Sequence, residues 1–264
     1  MKNGKAAVGD TDMYYVSFGS GRKNLVVLPG LSDGLATVKG KALLLAGPYR
    51  PFLKDYTVYM FSRKNHMPAG YSIEDMADDQ AAVMESLGIN SAAVLGVSQG
   101  GMIAQLIAAR HPGKVEKLIL AVTAPYANDV VKDAVGSWIE MAKRGDNVSL
   151  MTDTAERMYS EAYLDKNRKL FPVIARFTKP KSYERFLRNA YAILDFDARE
   201  GLGKIGCPTL ILAGDDDKTV GNDAPHELKS LIAGSRLHIY EGLGHGVHDE
   251  AGDFYRRVYD FCVE

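Results

Sequence analysis

Short continuous runs of apolar residues recur along this chain and constrain its fold more than any other feature. Runs of this kind are typical of strands buried on both faces, as in a parallel sheet with helices on each side. The segments at 5–8 and 13–18 instead predict an antiparallel hairpin at the edge of that sheet, and residues 236–240 predict a last strand. The continuous runs are residues 25–28, 57–61, 92–95, 118–122 and 209–213.

Helical patterns separate most of these runs. Ser72 is placed to cap a helix that Gly88 ends, and residues 99–110 are apolar almost all round, which predicts a helix against the centre of the sheet. A further helix is predicted from about residue 247 to the end of the chain. This alternation predicts an α/β fold with a doubly wound, mostly parallel sheet of eight strands.

The interval 126–200 interrupts the alternation, because three helical patterns follow one another there without a strand between them. An insertion of that length in an α/β domain is usually functional, for example as a lid. We therefore predict a core domain of residues 1–125 and 201–264 and a helical cap of residues 126–200. The three apolar stripes are Val131, Val135, Trp138 and Ala142; Ala155, Met158, Tyr159 and Ala162; and Phe186, Leu187, Ala190, Tyr191 and Leu194, the last on a helix capped by Ser182.

Composition and charge exclude several classes of protein. The 264 residues are 46% hydrophobic and 25% charged, which is ordinary for a globular protein and unlike a disordered or fibrous one. Lys and Arg (32) balance Asp and Glu (33), so the broad basic field that non-specific nucleic-acid binding needs is absent. The chain has two cysteines, and it shows neither an apolar window long enough to span a membrane nor a signal-peptide core. These features predict a cytoplasmic location.

The stretch Val94-Leu-Gly-Val-Ser-Gln-Gly-Gly101 carries the pattern Gly96-x-Ser98-x-Gly100 directly after a predicted strand and directly before an apolar helix. A tight turn in this position projects a serine hydroxyl from the edge of the sheet, and glycines flank it because larger side chains would collide with the adjacent strand and helix. The positive end of the helix then lies under any negative charge that develops at the serine. A plain glycine-rich turn can show the same pattern by chance. The predicted strand before the pattern and the predicted helix after it favour a nucleophile elbow instead.

A serine nucleophile needs a base, and the base needs a carboxylate that orients it. Three acids, Asp215, Asp216 and Asp217, follow the apolar run at 209–213, and His245 lies in a glycine-rich segment after the predicted last strand. The order serine, aspartate, histidine is the one associated with a nucleophile elbow. No cluster of His, Cys and acidic residues has metal-ligand spacing, so no metal and no cofactor is expected.

In this combination of motifs the chain resembles the α/β-hydrolase superfamily over nearly its whole length. The resemblance implies that Ser98 is the nucleophile, Asp217 the acid of the triad and His245 the base. The two acids before Asp217 are expected to shape their loop or face solvent. His248 competes with His245 for the role of base, but is expected to begin the last helix.

An acyl-transfer enzyme must also stabilise the oxyanion of its tetrahedral intermediate. One donor is expected to be the backbone N–H of Gln99, and the resemblance implies the N–H of Leu31 as the second. Ser32 and Asp33 could reach the site, but the simpler interpretation is that both shape the turn. The segment 61–66 departs from the acidic-Arg-Gly-x-Gly loop of many relatives.

The cap is expected to contribute apolar side chains above Ser98, with Trp138, Met158 and Tyr191 as the predicted substrate-binding residues. Most of the other apolar residues of the cap are expected to hold it together. Between residues 166 and 188 the cap has eight basic residues against a single acid, Glu184. Such a run attracts an anionic substrate or forms a solvated helix face, and the solvated face is the simpler interpretation.

The sequence thus predicts a serine hydrolase that cleaves a carboxylic ester, lactone or thioester of a small to medium acyl compound through an acyl-enzyme. C–C bond hydrolysis, acyl transfer and perhydrolysis use the same triad and remain alternatives. An alternative outside catalysis is a ligand-binding protein that has kept the hydrolase fold. The expected partner is the small-molecule acyl substrate, with no nucleic acid and no membrane span, and a homodimer stays open.

Overall fold

The computed structural model describes all 264 residues and contains one sheet of eight strands. The strands are β1 (Lys2–Val8), β2 (Thr11–Gly19), β3 (Lys23–Leu28), β4 (Tyr56–Lys64), β5 (Ala92–Val97), β6 (Val115–Ala121), β7 (Thr209–Gly214) and β8 (Arg236–Tyr240). They lie in the order β1-β2-β4-β3-β5-β6-β7-β8. The first hairpin is antiparallel, β2 pairs antiparallel with β4, and all other neighbours are parallel, which confirms the predicted mostly parallel sheet.

Helices cover both faces of the sheet, which is why the central strands are apolar on both sides. In β5, Ala92 and Val94 pack into the core on one face, and Ala93 and Leu95 pack into the core on the other. The helices are α1 (Ala42–Leu45), α2 (Ile73–Ser86), α3 (Gln99–Arg110), α4 (Asp129–Lys143), α5 (Asn147–Met158), α6 (Glu161–Asn167), α7 (Phe171–Phe177), α8 (Glu184–Leu194), α9 (Arg199–Leu202), α10 (Ala224–Leu231), α11 (Val247–Glu250) and α12 (Phe254–Val263).

The ends of α2 follow the local sequence. The Ser72 side chain accepts a hydrogen bond from the Asp75 N–H, the Asp75 side chain accepts one from the Ser72 N–H, and Gly88 follows the helix with φ of 72°. The single C-terminal helix predicted from residue 247 is wrong. It is divided into α11 and α12, because Ala251 is extended and Gly252 favours helix poorly. No helix of the chain has both the length and the apolar character needed to cross a membrane.

The insertion at residues 126–200, which we call the cap, contains five helices, α4 to α8, where the sequence predicted three, and α9 begins only at its last two residues. The apolar stripe predicted through Ala155 and Ala162 is interrupted, because Tyr159 is extended. Ser160 then caps a new helix, and its hydroxyl oxygen accepts a hydrogen bond from the Tyr163 N–H. Ala162 is therefore exposed. Ser182 accepts a hydrogen bond from the Glu184 N–H, but lies one residue before the N-cap position that it was predicted to occupy.

The two stems of the insertion lie side by side. Tyr126 and Asp197 form an isolated antiparallel bridge. The Ala127 N–H donates to the Phe196 carbonyl and the Ala198 N–H donates to the Pro125 carbonyl, each at 2.9 Å. The chain thus leaves the sheet after β6 and returns before β7 through one narrow, hydrogen-bonded neck.

Candidate active site

Ser98 lies between β5 and α3 in a backbone conformation that a non-glycine residue rarely adopts, with φ of 54° and ψ of −121°. The surrounding structure holds it there. The Ser98 N–H donates to the Ala121 carbonyl at 2.9 Å, and the Thr123 hydroxyl donates to the Ser98 carbonyl at 2.8 Å. This strained turn is the geometry expected of a nucleophile elbow.

The glycines around Ser98 are required by close approach of backbone to backbone. A Cβ atom on Gly96 would lie 2.4 Å from the Gly100 carbonyl oxygen, and one on Gly100 would lie 1.9 Å from the Leu28 carbonyl oxygen. These distances are far below van der Waals contact, so no larger residue fits without moving a strand. The sequence pattern therefore has the steric origin that was expected of it.

Asp217 and His245 form a buried pair. The Oδ2 atom of Asp217 lies 2.8 Å from Nδ1 of His245, while Oδ1 accepts from the N–H groups of Thr219 at 2.8 Å and Val220 at 2.9 Å. An ionised carboxylate only accepts, so Nδ1 carries the proton in the neutral imidazole and Nε2 is left with a lone pair. The Nε2 atom has no hydrogen-bond partner within the protein.

Ser98 and His245 line the same cavity of about 320 Å³. Eleven of its 18 lining residues are hydrophobic, and none is Lys or Arg. Trp138 and Met158, two of the three residues predicted to contact substrate, lie in this lining together with Leu31 and Ser32. The cavity therefore combines one polar end with largely apolar walls, as small-molecule sites commonly do.

Tyr191 does not lie in this cavity, so its predicted place above Ser98 is wrong. It is 44% exposed and lines a separate cleft of about 740 Å³, which Ser98 does not line. Phe186, on the same helix α8, lines the Ser98 cavity. Five residues at 100° each turn Tyr191 about 140° away from Phe186, so one helix cannot direct both side chains into one cavity.

The two predicted oxyanion donors are unpaired. Leu31 begins a single 3-10 turn, Leu31–Gly34, and Gln99 begins α3, so neither N–H has an intrahelical acceptor. Neither N–H donates to any other protein acceptor. Gly30, beside Leu31, lies next to Ser98: a Cβ on Gly30 would lie 3.3 Å from the Ser98 Cβ and 3.8 Å from the Ser98 hydroxyl oxygen.

A buried charged network that sequence analysis missed lies behind these two donors. Arg63 is fully buried, and its Nη2 atom donates to the Pro29 carbonyl at 2.6 Å and to Oε1 of Gln99 at 2.9 Å. Burial lowers the pKa of Arg63 from 12.5 to about 10, against the opposing effect of the Asp33 charge. One guanidinium thus contacts both the loop that carries Leu31 and the side chain of Gln99.

The same network ties the cap to the core. The Nη2 atom of Arg185, on α8, lies 2.7 Å from Oδ2 of Asp33, which also accepts from the Arg63 N–H at 3.0 Å. Arg185 donates further to the carbonyls of Arg63 at 2.8 Å and Lys64 at 2.7 Å. Asp33 therefore does more than shape its turn. The departure at 61–66 was the only signal in the sequence that pointed to this cluster.

His248 is a second histidine of the cavity that sequence analysis set aside. It lies in α11 and lines the Ser98 cavity with a side chain that is 21% exposed. Burial lowers the pKa of His248 below 6.5, an effect that the Asp249 charge opposes and the nearby His245 reinforces. Its Nδ1 atom is buried without a hydrogen-bond partner.

The cap also contacts the loop that carries His245. The Gly246 N–H donates to the Met158 carbonyl at 2.7 Å, and the Ser160 N–H donates to Oε1 of Glu250 at 3.1 Å. A Cβ atom on Gly244 would lie 2.8 Å from that same Met158 carbonyl oxygen. These contacts fix the position of the loop that carries His245 relative to the cap. No group of three or more His, Cys, Asp or Glu residues could hold a metal ion.

Comparison with known proteins gives a consistent family. The sequence matches the family described as alpha/beta hydrolase fold over residues 25–252. It is 33% identical over 190 residues, 69% of either chain, to the AB hydrolase superfamily protein YisY of Bacillus subtilis (strain 168). It is 27% identical over 272 residues, 96% of this chain and 92% of the relative, to 2-hydroxy-6-oxononadienedioate/2-hydroxy-6-oxononatrienedioate hydrolase 2 of Pseudomonas putida.

A solved esterase from Exiguobacterium antarcticum superimposes with a TM-score of 0.78 at 26% identity, covering 98% of this chain and 99% of that one. The family match spans most of the chain, and it includes the elbow, the acid loop and the histidine loop. Fold, family match and relatives agree on one conclusion. The chain belongs to the α/β-hydrolase family.

Proposed function

We propose that this protein is a serine hydrolase that cleaves a carboxylic ester, lactone or thioester of a small to medium, predominantly apolar acyl compound. The observation that supports the proposal is the shared cavity, which is lined by Ser98, by the imidazole that Asp217 holds and by apolar cap residues. We further propose that residues 126–200 act as the cap domain that selects the acyl group, on the core formed by residues 1–125 and 201–264.

In the proposed reaction the Ser98 hydroxyl oxygen attacks the acyl carbonyl while Nε2 of His245 takes its proton. The N–H groups of Leu31 and Gln99 stabilise the oxyanion, and Asp217 stabilises the imidazolium. His245 then gives its proton to the departing alkoxide or thiolate. The product of this step is the acyl-enzyme, an ester of Ser98. Water, deprotonated by His245, attacks that ester, and Ser98 regains the proton as the carboxylic acid is released.

The residues that line the Ser98 cavity are better suited to an uncharged acyl group than to a dianionic one. A dicarboxylate, such as the substrate named for the Pseudomonas putida relative, brings two carboxylates that need cationic or hydrogen-bonding partners once they are desolvated. No Lys or Arg lines the Ser98 cavity, and its one acidic residue, Asp249, would repel a carboxylate. C–C bond hydrolysis of such a dicarboxylate is therefore the less favoured use of the same triad.

The test compares Ser98→Ala with the wild type on chromogenic esters of graded acyl length and on simple lactones. We expect kcat to fall by about 10⁴-fold or more, because residual rates after loss of a triad member come only from binding and oxyanion stabilisation. A fluorophosphonate probe is expected to label the wild type at Ser98 and to leave the variant unlabelled.

Ser86→Ala is the matched control, since Ser86 is an exposed serine at the end of α2 that bonds only to the Val83 carbonyl. It is expected to keep the full rate. Full ester hydrolysis by Ser98→Ala would refute the assignment of the nucleophile. An unreactive wild type that still binds acyl compounds would favour a binding protein, and turnover confined to dienedioate substrates would favour the C–C hydrolase.

A further inference from the structure

Helix α7 of the cap turns apolar side chains toward solvent. Leu170 is 53% exposed, Val173 49%, Ile174 45% and Phe177 86%. Their spacing of three, four and seven residues places them on one side of the helix. We call these four residues the cap ridge. The opposite side of α7 is used inside the cap, because Ala175 is fully buried and Phe171 lines the Ser98 cavity. The ridge is thus not the packing face of the helix.

Basic residues that form no ion pair flank the cap ridge along the sequence. Residues 166–183 include no Asp or Glu. Five cations of this segment are exposed, and none has a carboxylate oxygen within 4.0 Å: Lys166, Lys169, Arg176, Lys179 and Lys181.

The other three cations of the basic run behave differently. Arg168 pairs with Glu156 and Glu161, Arg188 pairs with Glu184, and Arg185 pairs with the buried Asp33. The cations that contact acidic residues elsewhere in the protein are therefore neutralised, whereas the five that neighbour the ridge in the sequence form no ion pair.

We propose that the cap ridge and its five unpaired cations form a surface that docks reversibly on an anionic lipid bilayer. An apolar helical face bordered by Lys and Arg suits the boundary between headgroups and acyl chains, where the apolar residues enter the bilayer and the cations meet lipid phosphates. The surface lies on the membrane without spanning it, in agreement with the absence of any helix long and apolar enough to cross it.

Charge favours a lipid surface over a second copy of this chain. A two-fold dimer through the cap ridge would bring two sets of the same five cations together, with no acidic residue in the segment to offset them. The cations also do not line the Ser98 cavity, so an anionic substrate in that cavity would not contact them. Since Phe171 joins α7 to the cavity wall, docking would place the cap side of the cavity against the bilayer.

The experiment is co-sedimentation of the purified full-length protein with extruded vesicles, one set of phosphatidylcholine and one of phosphatidylcholine mixed with phosphatidylglycerol. We expect binding to the mixed vesicles at low ionic strength, little binding to phosphatidylcholine alone, and loss of binding at high salt, since exposed charges are then screened. The proposal does not depend on hydrolysis. Ser98→Ala is therefore expected to bind as the wild type does.

Two variants test the two parts of the surface. Phe177→Ser is expected to weaken partitioning to mixed vesicles by about tenfold or more, because it removes the most exposed aromatic ring of the ridge. Lys169→Ala combined with Lys181→Ala is expected to weaken it by about 25-fold, at about fivefold for each cation. All three substitutions are on exposed residues, so folding is expected to persist, and circular dichroism checks it.

The matched controls are Leu43→Ser and Lys54→Ala. Leu43 is 79% exposed and Lys54 is exposed, but both lie outside the cap, and each is expected to leave vesicle binding unchanged. Failure of the wild type to bind mixed vesicles would overturn the proposal, as would equal binding by Phe177→Ser. So would a dimer in sedimentation velocity that Phe177→Ser dissociates, together with no vesicle binding, because the ridge would then be an interface between copies.

Discussion

At the scale of single residues, the candidate nucleophile, acid and base could be predicted because each has a local signal. Ser98 stands between glycines after an apolar run, and Asp217 and His245 follow strands in loops of distinctive composition. Arg63 has no such signal. Its partners Pro29 and Gln99 are 34 and 36 positions away, so its role is defined only when β4 is placed beside β3.

His248 is where pH dependence can be predicted, since burial lowers its pKa from 6.5. Between the lowered native pKa and 6.5 the unfolded chain binds more protons than the native one, so stability falls as pH drops through this window. We expect His248→Gln to remove that contribution, giving a free energy of unfolding that declines less steeply with acidification than in the wild type. Urea denaturation between about pH 5 and pH 7 measures the two slopes.

The difference in slope between the wild type and His248→Gln reports on His248 alone. His238, whose pKa is also lowered mainly by burial, is present in both proteins. Identical slopes would show that the titration of His248 does not change on folding.

At the scale of elements, the strands of the sheet and the helical insertion were predictable, but the number and the ends of the cap helices were not. A strand buried on both faces needs a continuous apolar run whatever its neighbours are, so all five runs correspond to strands with at least one parallel neighbour. Cap helices are short, and their ends depend on single residues. Ser160 begins a helix within one predicted stripe, and Gly145, with φ of 66°, follows the end of another helix.

Two glycine substitutions test how far the elbow depends on close approach. Gly100→Ala puts a Cβ against the Leu28 carbonyl oxygen, so we expect β3 and α3 to be forced apart and the protein to lose about 3 kcal/mol of unfolding free energy. Gly136→Ala, in the interior of α4 with no atom within 4 Å of the added Cβ, is expected to gain about 0.5–1 kcal/mol. Chemical denaturation measures both, and a neutral Gly100→Ala would contradict the steric account of the motif.

At the scale of the whole molecule, cap and core meet at the neck, at the Met158 contact with the histidine loop and at the Arg185–Asp33 pair. The last contact is an ion pair with a buried carboxylate, since Asp33 is only 2% exposed. Removing one partner of a buried ion pair leaves the other charge poorly compensated, which is more damaging than losing an exposed pair.

Arg185→Met is therefore expected to lower the free energy of unfolding by about 3 kcal/mol. Arg188→Met, on the same helix, breaks only an exposed pair with Glu184 and is expected to change stability by less than about 0.5 kcal/mol. Urea denaturation of both variants measures the contrast. Equal losses would mean that Arg185 contributes no more than a surface charge.

The hydrogen-bonded neck allows the inserted segment to vary between related proteins without a change in the core. Because the bridge between Tyr126 and Asp197 fixes where the chain exits and re-enters the sheet, the span between them can lengthen, shorten or be exchanged while the strand ends keep their positions. The hydroxyl, imidazole and carboxylate are all supplied by segments outside that span. Evolution, or a laboratory graft from another member of the family, can thus change the cap-derived walls of the cavity and leave the proposed triad of Ser98, Asp217 and His245 unaltered.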